Sequence, residues 1–237
     1  MALPVMSSAT YELKVPSLKK KVKFRAFLVK EEKALLIAQQ SEDPNVMLNT
    51  IKDIISACTF GKLDTEDLAM FDIEYIFCQL RAKSVGEISE LVFNCLECND
   101  PKAKMKVTIN LTELEVQFNP DHKKTIDLFD DVGVVMKYPS LDMLNKMRDI
   151  NQESIEAVFE VIISCIDNIY AGDQIYTAKE QTKEELISFL DNLTQSQFKK
   201  IQQFFETMPK LEKKIEFDCP VCNYHHNHSI QGIENFF

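Results

Sequence analysis

Chain breakers are scarce, with five glycines and eight prolines in 237 residues. Beside 45% hydrophobic residues, that scarcity excludes a disordered or low-complexity chain and leaves one or two globular domains. No stretch approaches the roughly 18 consecutive apolar residues that a membrane-spanning helix needs. Met1, Ala2, Leu3 and Pro4 form no basic region followed by an apolar one, so no secretory signal is expected and the chain reads as cytosolic. There is no long basic run. The 27 Lys and Arg against 37 Asp and Glu give a formal charge of -10, which disfavours a duplex DNA binder, whose affinity comes from neutralising phosphates. A Gly-rich phosphate loop, H-E-x-x-H and G-x-S-x-G are all missing. Asp127, Asp130 and Asp131 share a turn, but no neighbour in sequence would shift their pKa values, and they read as solvated. An enzyme has no residues to work with here, and other proteins are the expected partners.

The composition that is present points to an α+β fold. Tyr11, Leu13 and Val15 alternate with polar residues, Pro16 to Lys20 makes a turn, and Val22, Phe24 and Phe27 follow among Lys21, Lys23 and Arg25. Period-two alternation predicts a β-hairpin with one apolar and one basic face. The basic face, Lys21, Lys23 and Arg25, is a candidate contact for an acidic partner, and equally a solvated face whose lysines discourage edge pairing. Helices are expected over Glu31 to Gln40, from Pro44 to Cys58 behind an Asp43 cap, and from about Thr65 to Lys83. The third is apolar on more than one face and should be enclosed. Cys58 and Cys78, each alone, read as small buried hydrophobes.

After Gly86 short strands follow: Ile88 to Asn94, Met105 to Asn110, Leu114 to Phe118, Ile126 to Phe129 and Val132 to Tyr138. Beyond Pro139 the periodicity is helical over Leu141 to Ile150 and Ile155 to Ile166. Two capping boxes, Thr182-x-x-Glu185 and Thr194-x-x-Gln197, open further helices, the last ending before Pro209. Strand character returns at Lys214 to Asp218. The organisation expected is an N-terminal α+β region over 1–139, a helical segment over 140–210, and a C-terminal hairpin over 211–237.

Seven cysteines, an odd number, include two C-x-x-C pairs, which in a reducing compartment favour metal thiolates over disulfides. The pairs repeat their surroundings: Phe93-Asn94-Cys95-Leu96-Glu97-Cys98-Asn99 against Phe217-Asp218-Cys219-Pro220-Val221-Cys222-Asn223. Each C-x-x-C turn supplies two sulfurs, half of a tetrahedral zinc site. Asn99 and Asn223 stand where such knuckles often carry glycine, and asparagine is the non-glycine residue best suited to positive φ. Four thiolates leave zinc with a net charge of about -2, which Lys102, Lys104 and Lys106 near one pair, and Lys210, Lys213 and Lys214 near the other, are placed to offset. In one scheme Cys95, Cys98, Cys219 and Cys222 share a single zinc and pin the C-terminal hairpin against the middle of the chain. In another, Cys219 and Cys222 recruit two of His225, His226 and His228; a third possibility is no metal. The matching of the two knuckles favours the shared site. A site closed by four cysteines leaves no position for substrate, so its role would be structural.

Several stretches together resemble a known family. They are Phe24-Arg25-Ala26-Phe27-Leu28-Val29-Lys30-Glu31-Glu32-Lys33, then Phe71-Asp72-Ile73-Glu74-Tyr75-Ile76-Phe77 with Leu80-Arg81-Ala82-Lys83-Ser84-Val85-Gly86-Glu87. Cys95-x-x-Cys98, Val135-Met136-Lys137-Tyr138-Pro139, and the second C-x-x-C ahead of Gly232-Ile233-Glu234-Asn235-Phe236-Phe237 complete the set. The chain resembles the T4-like bacteriophage baseplate proteins, which include hub subunits and hub assembly proteins of contractile tails. The resemblance is dense from Lys14 to Pro139 and returns at the C-terminus. It departs in the asparagine after each knuckle and in Leu96, where proline is common. It implies a non-enzymatic tail-morphogenesis protein in the cytoplasm of the infected bacterium, an assembly chaperone for the central hub. Alternatives are a hub subunit retained in the virion and, from another class, a zinc-ribbon nucleic-acid binder. Partners would be hub or other tail assembly proteins, within a homo- or hetero-oligomer, and Phe236 and Phe237 are candidate contacts.

Overall fold

The structure, a computed structural model, describes residues 8–41, 43–66, 68–141, 143 and 155–232. In chain order come β1 (Thr10–Lys14), β2 (Lys21–Arg25), α1 (Val29–Gln39), α2 (Pro44–Cys58), α3 (Met70–Ser84), β3 (Ile88–Asn94), β4 (Lys104–Asn110) and β5 (Val116–Gln117). They are followed by β6 (Thr125–Phe129), β7 (Val132–Met136), α4 (Ile155–Ser164), β8 (Ile166–Ala171), β9 (Gln174–Thr177), α5 (Lys183–Asp191), α6 (Gln195–Thr207), β10 (Lys210–Asp218) and β11 (His225–Gln231). The chain is thus mixed α and β, with six α-helices and small antiparallel sheets among the described residues. It divides into two compact units, one from Met1–Thr65, Phe71–Gln117 and Lys210–Phe237, the other from Glu66–Met70 and Phe118–Pro209.

In the first unit the opening hairpin forms as its alternation dictates, with Leu13 opposite Val22 and Tyr11 opposite Phe24. Leu13, Val15, Val22 and Phe24 are buried. Its turn is fastened to α3, because the Ser17 N–H donates to the Asp72 carboxylate at 2.9 Å and the Ser17 hydroxyl to its other oxygen. Asp72 lies in the first turn of α3, where the helix dipole favours a negative charge. Asp43 caps α2 as expected, accepting from the Asn45 N–H at 2.8 Å. α1 begins behind an apolar residue, Leu28, and takes its cap from the third helical position: Glu31 accepts the Leu28 N–H at 2.7 Å.

The third helix starts at Met70 rather than at Thr65. Ala69 forms a β-bridge with Ser140, and the Met70 N–H donates to the Pro139 carbonyl at 3.2 Å, so the chain ahead of the helix is held extended. From Phe71 to Ala82 nine residues of α3 are buried, which is the enclosure its apolar breadth predicts. Cys78 and Ala82 of α3 meet Leu91 and Ile109 of the β3–β4 hairpin, and Leu211, Ile215 and Ile230 of the β10–β11 hairpin, in one core. Each such burial of a leucine or isoleucine stabilises by about 1.5–3 kcal/mol. β10 also pairs with β5, Leu211 opposite Val116, closing a sheet across more than ninety residues of sequence. The strand expected over Leu114 to Phe118 is shorter, because Leu111–Glu113 turns as a 3-10 helix and Leu114 is buried behind it.

The second unit is a four-stranded antiparallel sheet in the order β6-β7-β8-β9. α4, α5 and α6 contribute Ile162, Leu186, Leu190, Ile201 and Phe204 to its core, against Ile126, Leu128, Val134, Met136, Ile166 and Ile169 of the strands. The stretch 140–210 is therefore not helical throughout: β8 and β9 form a hairpin inside it, turning at Gly172 with φ 58°. Ile162, Ile163 and Ile166 continue one apolar run across the end of α4, and a run of that kind does not reveal where helix gives way to strand. Both capping boxes form as expected. Thr182 and Glu185 exchange bonds at 2.8 and 3.2 Å, and Thr194 and Gln197 at 2.7 and 3.4 Å. Asp127, Gly133 and Tyr170 stand in one row across β6, β7 and β8. The Tyr170 ring lies over Gly133, where any Cβ would meet its hydroxyl at 2.1 Å, and that hydroxyl donates to Asp127. The helix expected over Leu141 to Ile150 falls largely outside the described residues.

Candidate metal centre

The two C-x-x-C segments are the turns of the β3–β4 and β10–β11 hairpins, and both belong to the first unit. In each, the first cysteine closes the turn with its backbone: Cys95 N–H donates to the Ala103 carbonyl at 3.0 Å and Cys219 N–H to the Tyr224 carbonyl at 2.9 Å. Asn99 (φ 49°) and Asn223 (φ 58°) take the left-handed conformation that their place after the knuckle predicts. Phe93 and Phe217, each two residues before a knuckle, stack at 5.2 Å and bring the hairpins together.

The consequence is a cluster of four sulfurs. The Sγ atoms of Cys95, Cys98, Cys219 and Cys222 all lie within 4.8 Å of one another. The short pairs cross between hairpins, Cys95 to Cys222 at 3.8 Å and Cys98 to Cys219 at 3.9 Å. A zinc tetrahedron with Zn–S near 2.3 Å has S···S edges of about 3.8 Å, whereas a disulfide requires about 2.05 Å. The spacing matches the first. Cys95 and Cys219 are buried, Cys98 is half-buried and Cys222 is exposed.

Electrostatics at the cluster favour a cation. The Cys219 thiol is lowered to about 7 by the backbone N–H of Cys222, against burial and with further help from the Val221 N–H. Cys222 is pushed up to about 12: the Tyr224 N–H favours its thiolate, but desolvation and the three neighbouring sulfurs outweigh that bond. Cys98 is raised as well, despite the Asp100 N–H that it accepts. One thiolate forms readily and the next ones repel it, so a cation among the sulfurs would favour ionisation of the whole set.

Of the three histidines near the second knuckle, His226 is the one at the sulfur cluster. It is buried, with Nε2 3.3 Å from the Cys95 sulfur, and its ring stacks on Phe217 and His228. The signal that would have found it is the alternation of β11, which puts His226, His228 and Ile230 on one face. The turn hydrogen bonds make Met105 its counterpart in β4, and Met105 packs in the apolar cluster that holds Cys219. The two hairpins therefore repeat in backbone and differ at this position, histidine beside the Cys95 sulfur in one and methionine in the apolar cluster in the other. His225 is directed to the Asp218 carboxylate at 2.8 Å.

The other candidate residues are dispersed. Lys21 and Lys23 are exposed on the outer face of the first hairpin, Lys21 beside Glu12 at 3.0 Å. Arg25 is engaged within the fold, donating to Glu31 at 2.8 Å and to the Ala26 carbonyl at 3.0 Å. Phe236 and Phe237 lie outside the described residues. Asp127, Asp130 and Asp131 are exposed. No described helix is long and apolar enough to cross a membrane.

The profile of the T4 bacteriophage base plate protein family matches residues 8–237. The chain belongs to that family. It is 25% identical over 213 residues to the baseplate hub assembly protein gp26 of Enterobacteria phage T4, covering 90% of each chain. No solved structure matches it.

Proposed function

We infer that this baseplate-family protein is a non-enzymatic assembly chaperone for the central hub of a phage tail baseplate, acting in the cytoplasm of the infected bacterium. The observation that carries the reading is its near full-length similarity to a hub assembly protein. A chaperone must hold a rigid surface in readiness while its client is incomplete. The first unit suits that task through a structural zinc bound by Cys95, Cys98, Cys219 and Cys222, whose sulfur spacing fits the metal. Lys21, Lys23 and the terminal Phe236 and Phe237 are the proposed client contacts, with Arg25 supporting them from its bond to Glu31.

Two measurements test this. Metal analysis of the purified protein is expected to return one zinc per chain, and a zinc-free protein with unchanged melting would remove the structural site. Quantitative peptide mass spectrometry of mature particles and of hub-sized intermediates separates the roles. Enrichment in intermediates with loss from the virion is the chaperone result; a fixed ratio to hub proteins in both makes the protein a retained subunit.

A further inference from the structure

The first hairpin carries charge that its fold does not use. Within residues 8–25, Lys14, Lys19, Lys20, Lys21, Lys23 and Arg25 face a single carboxylate, Glu12. That is a net +5 in a chain totalling -10, so the remainder carries -15. Arg25 is taken up by Glu31, and the five lysines are all exposed, Lys21 pairing with Glu12 at 3.0 Å. Lys14 stands directly opposite Lys21 in the register of β1 and β2, and like charges facing across a strand pair destabilise it. Lys19 has φ 53°, a left-handed conformation better suited to glycine or asparagine. The apolar side of the hairpin and the Ser17 anchor on Asp72 fix its position without these lysines. Protection of a strand edge accounts for charges on β1 and β2 but not for Lys19 and Lys20 in the turn.

We propose that Lys14, Lys19, Lys20, Lys21 and Lys23 form a docking face for a carboxylate-rich surface of a protein partner. Each lysine is a strongly hydrated point charge on a flexible stem, suited to steering and orienting an acidic surface. The hairpin is held by buried residues, so the charges are presented on a fixed backbone. Nucleic acid fits less well, because the aromatic residues of these strands are turned away and offer bases no stacking platform: Phe24 is buried and Tyr11 packs on it at 5.5 Å. The biological identity of the partner, a baseplate protein, rests on the assembly reading above; the chemistry of the face does not.

The test compares the full-length protein with a variant carrying Lys14→Gln, Lys19→Gln, Lys20→Gln, Lys21→Gln and Lys23→Gln. Both are titrated by fluorescence anisotropy with labelled poly-L-glutamate and with single- and double-stranded oligonucleotides of matched charge, at low and physiological salt. The parent is expected to bind polyglutamate in a salt-sensitive manner and the variant to bind it at least about tenfold more weakly. Equal binding by the two proteins, or tighter binding of an oligonucleotide than of polyglutamate by the parent, overturns the proposal. The variant should melt close to the parent, since the Lys14–Lys21 repulsion it removes offsets the loss of the exposed Lys21–Glu12 pair. Co-expression with the hub proteins of the same phage separates the two readings. Failure of the parent to co-elute with any hub protein overturns the assembly function, while co-elution of parent and variant alike overturns only the lysine face.

Discussion

The two units are built by opposite strategies. The second draws nearly all of its residues from the continuous stretch Phe118–Pro209, and its strands pair with their neighbours in sequence. The first gathers three separated stretches, and its core depends on β10 and β11 returning to α3, β3 and β5. Closing so long a loop costs conformational entropy before any contact forms. Four cysteines lie where that closure must be held, and none lies in the core of the second unit except Cys165, which is alone. The proposed zinc would place a cross-link where the chain's own connectivity is weakest.

Breaking the proposed cross-link is the largest expected effect. Chelation, or Cys95→Ser or Cys222→Ser, should remove on the order of several kcal/mol from the first unit. Hydrogen exchange would read this as lost protection in β3, β4, β10 and β11 with β6 to β9 unchanged; equal loss in both units would erase the contrast. Paired core truncations sharpen it. Leu211→Ala and Leu190→Ala each delete a buried leucine at a cost of about 2–5 kcal/mol, yet only Leu211→Ala should weaken zinc retention in a competition with a chromogenic chelator.

A smaller effect is pH-dependent. Burial alone would raise the pKa of Glu31, but the hydrogen bonds from Arg25 and the Leu28 N–H outweigh it and hold the carboxyl below its ordinary value. A lowered folded pKa means that this stability is present above about pH 4.3, the unfolded value, and is lost as pH falls through the folded one. Glu31→Gln should therefore cost about 1–3 kcal/mol near neutrality and flatten the acid limb of the melting profile. A parallel downward shift at every pH would show that the bond is not titrating. The smallest is Thr182→Ala at the start of α5, about 1 kcal/mol from a lost cap, which should raise exchange in the first turn of α5 and leave metal content alone.

Local devices were legible because they act within one turn of chain. Asp43 ahead of Pro44, the two capping boxes, the period-two hairpin and the asparagines after each knuckle depend on residues at most a few positions apart. The β8–β9 hairpin was not legible, since its isoleucines continue the apolar run of α4 and a strand shares that composition with a buried helix. Nor was the late start of α3, which depends on Ala69 pairing with Ser140 some seventy residues away. His226 was legible only as one of three histidines beside the second knuckle; its place against Cys95 depends on a residue 131 positions away.

The sequence by itself determined the pairing of like with like: two matching knuckles, the turn geometry of each, and the family to which they belong. Tertiary structure alone decided that the knuckles face each other crosswise inside one unit, that Arg25 is committed to Glu31 while five lysines stay exposed, and that the β8–β9 hairpin interrupts the helical half to complete a four-stranded sheet. The reason is the range of the forces. Backbone hydrogen bonds and side-chain caps act between near neighbours, whereas burial of apolar surface and the gathering of sulfurs depend on which distant segments can share a core.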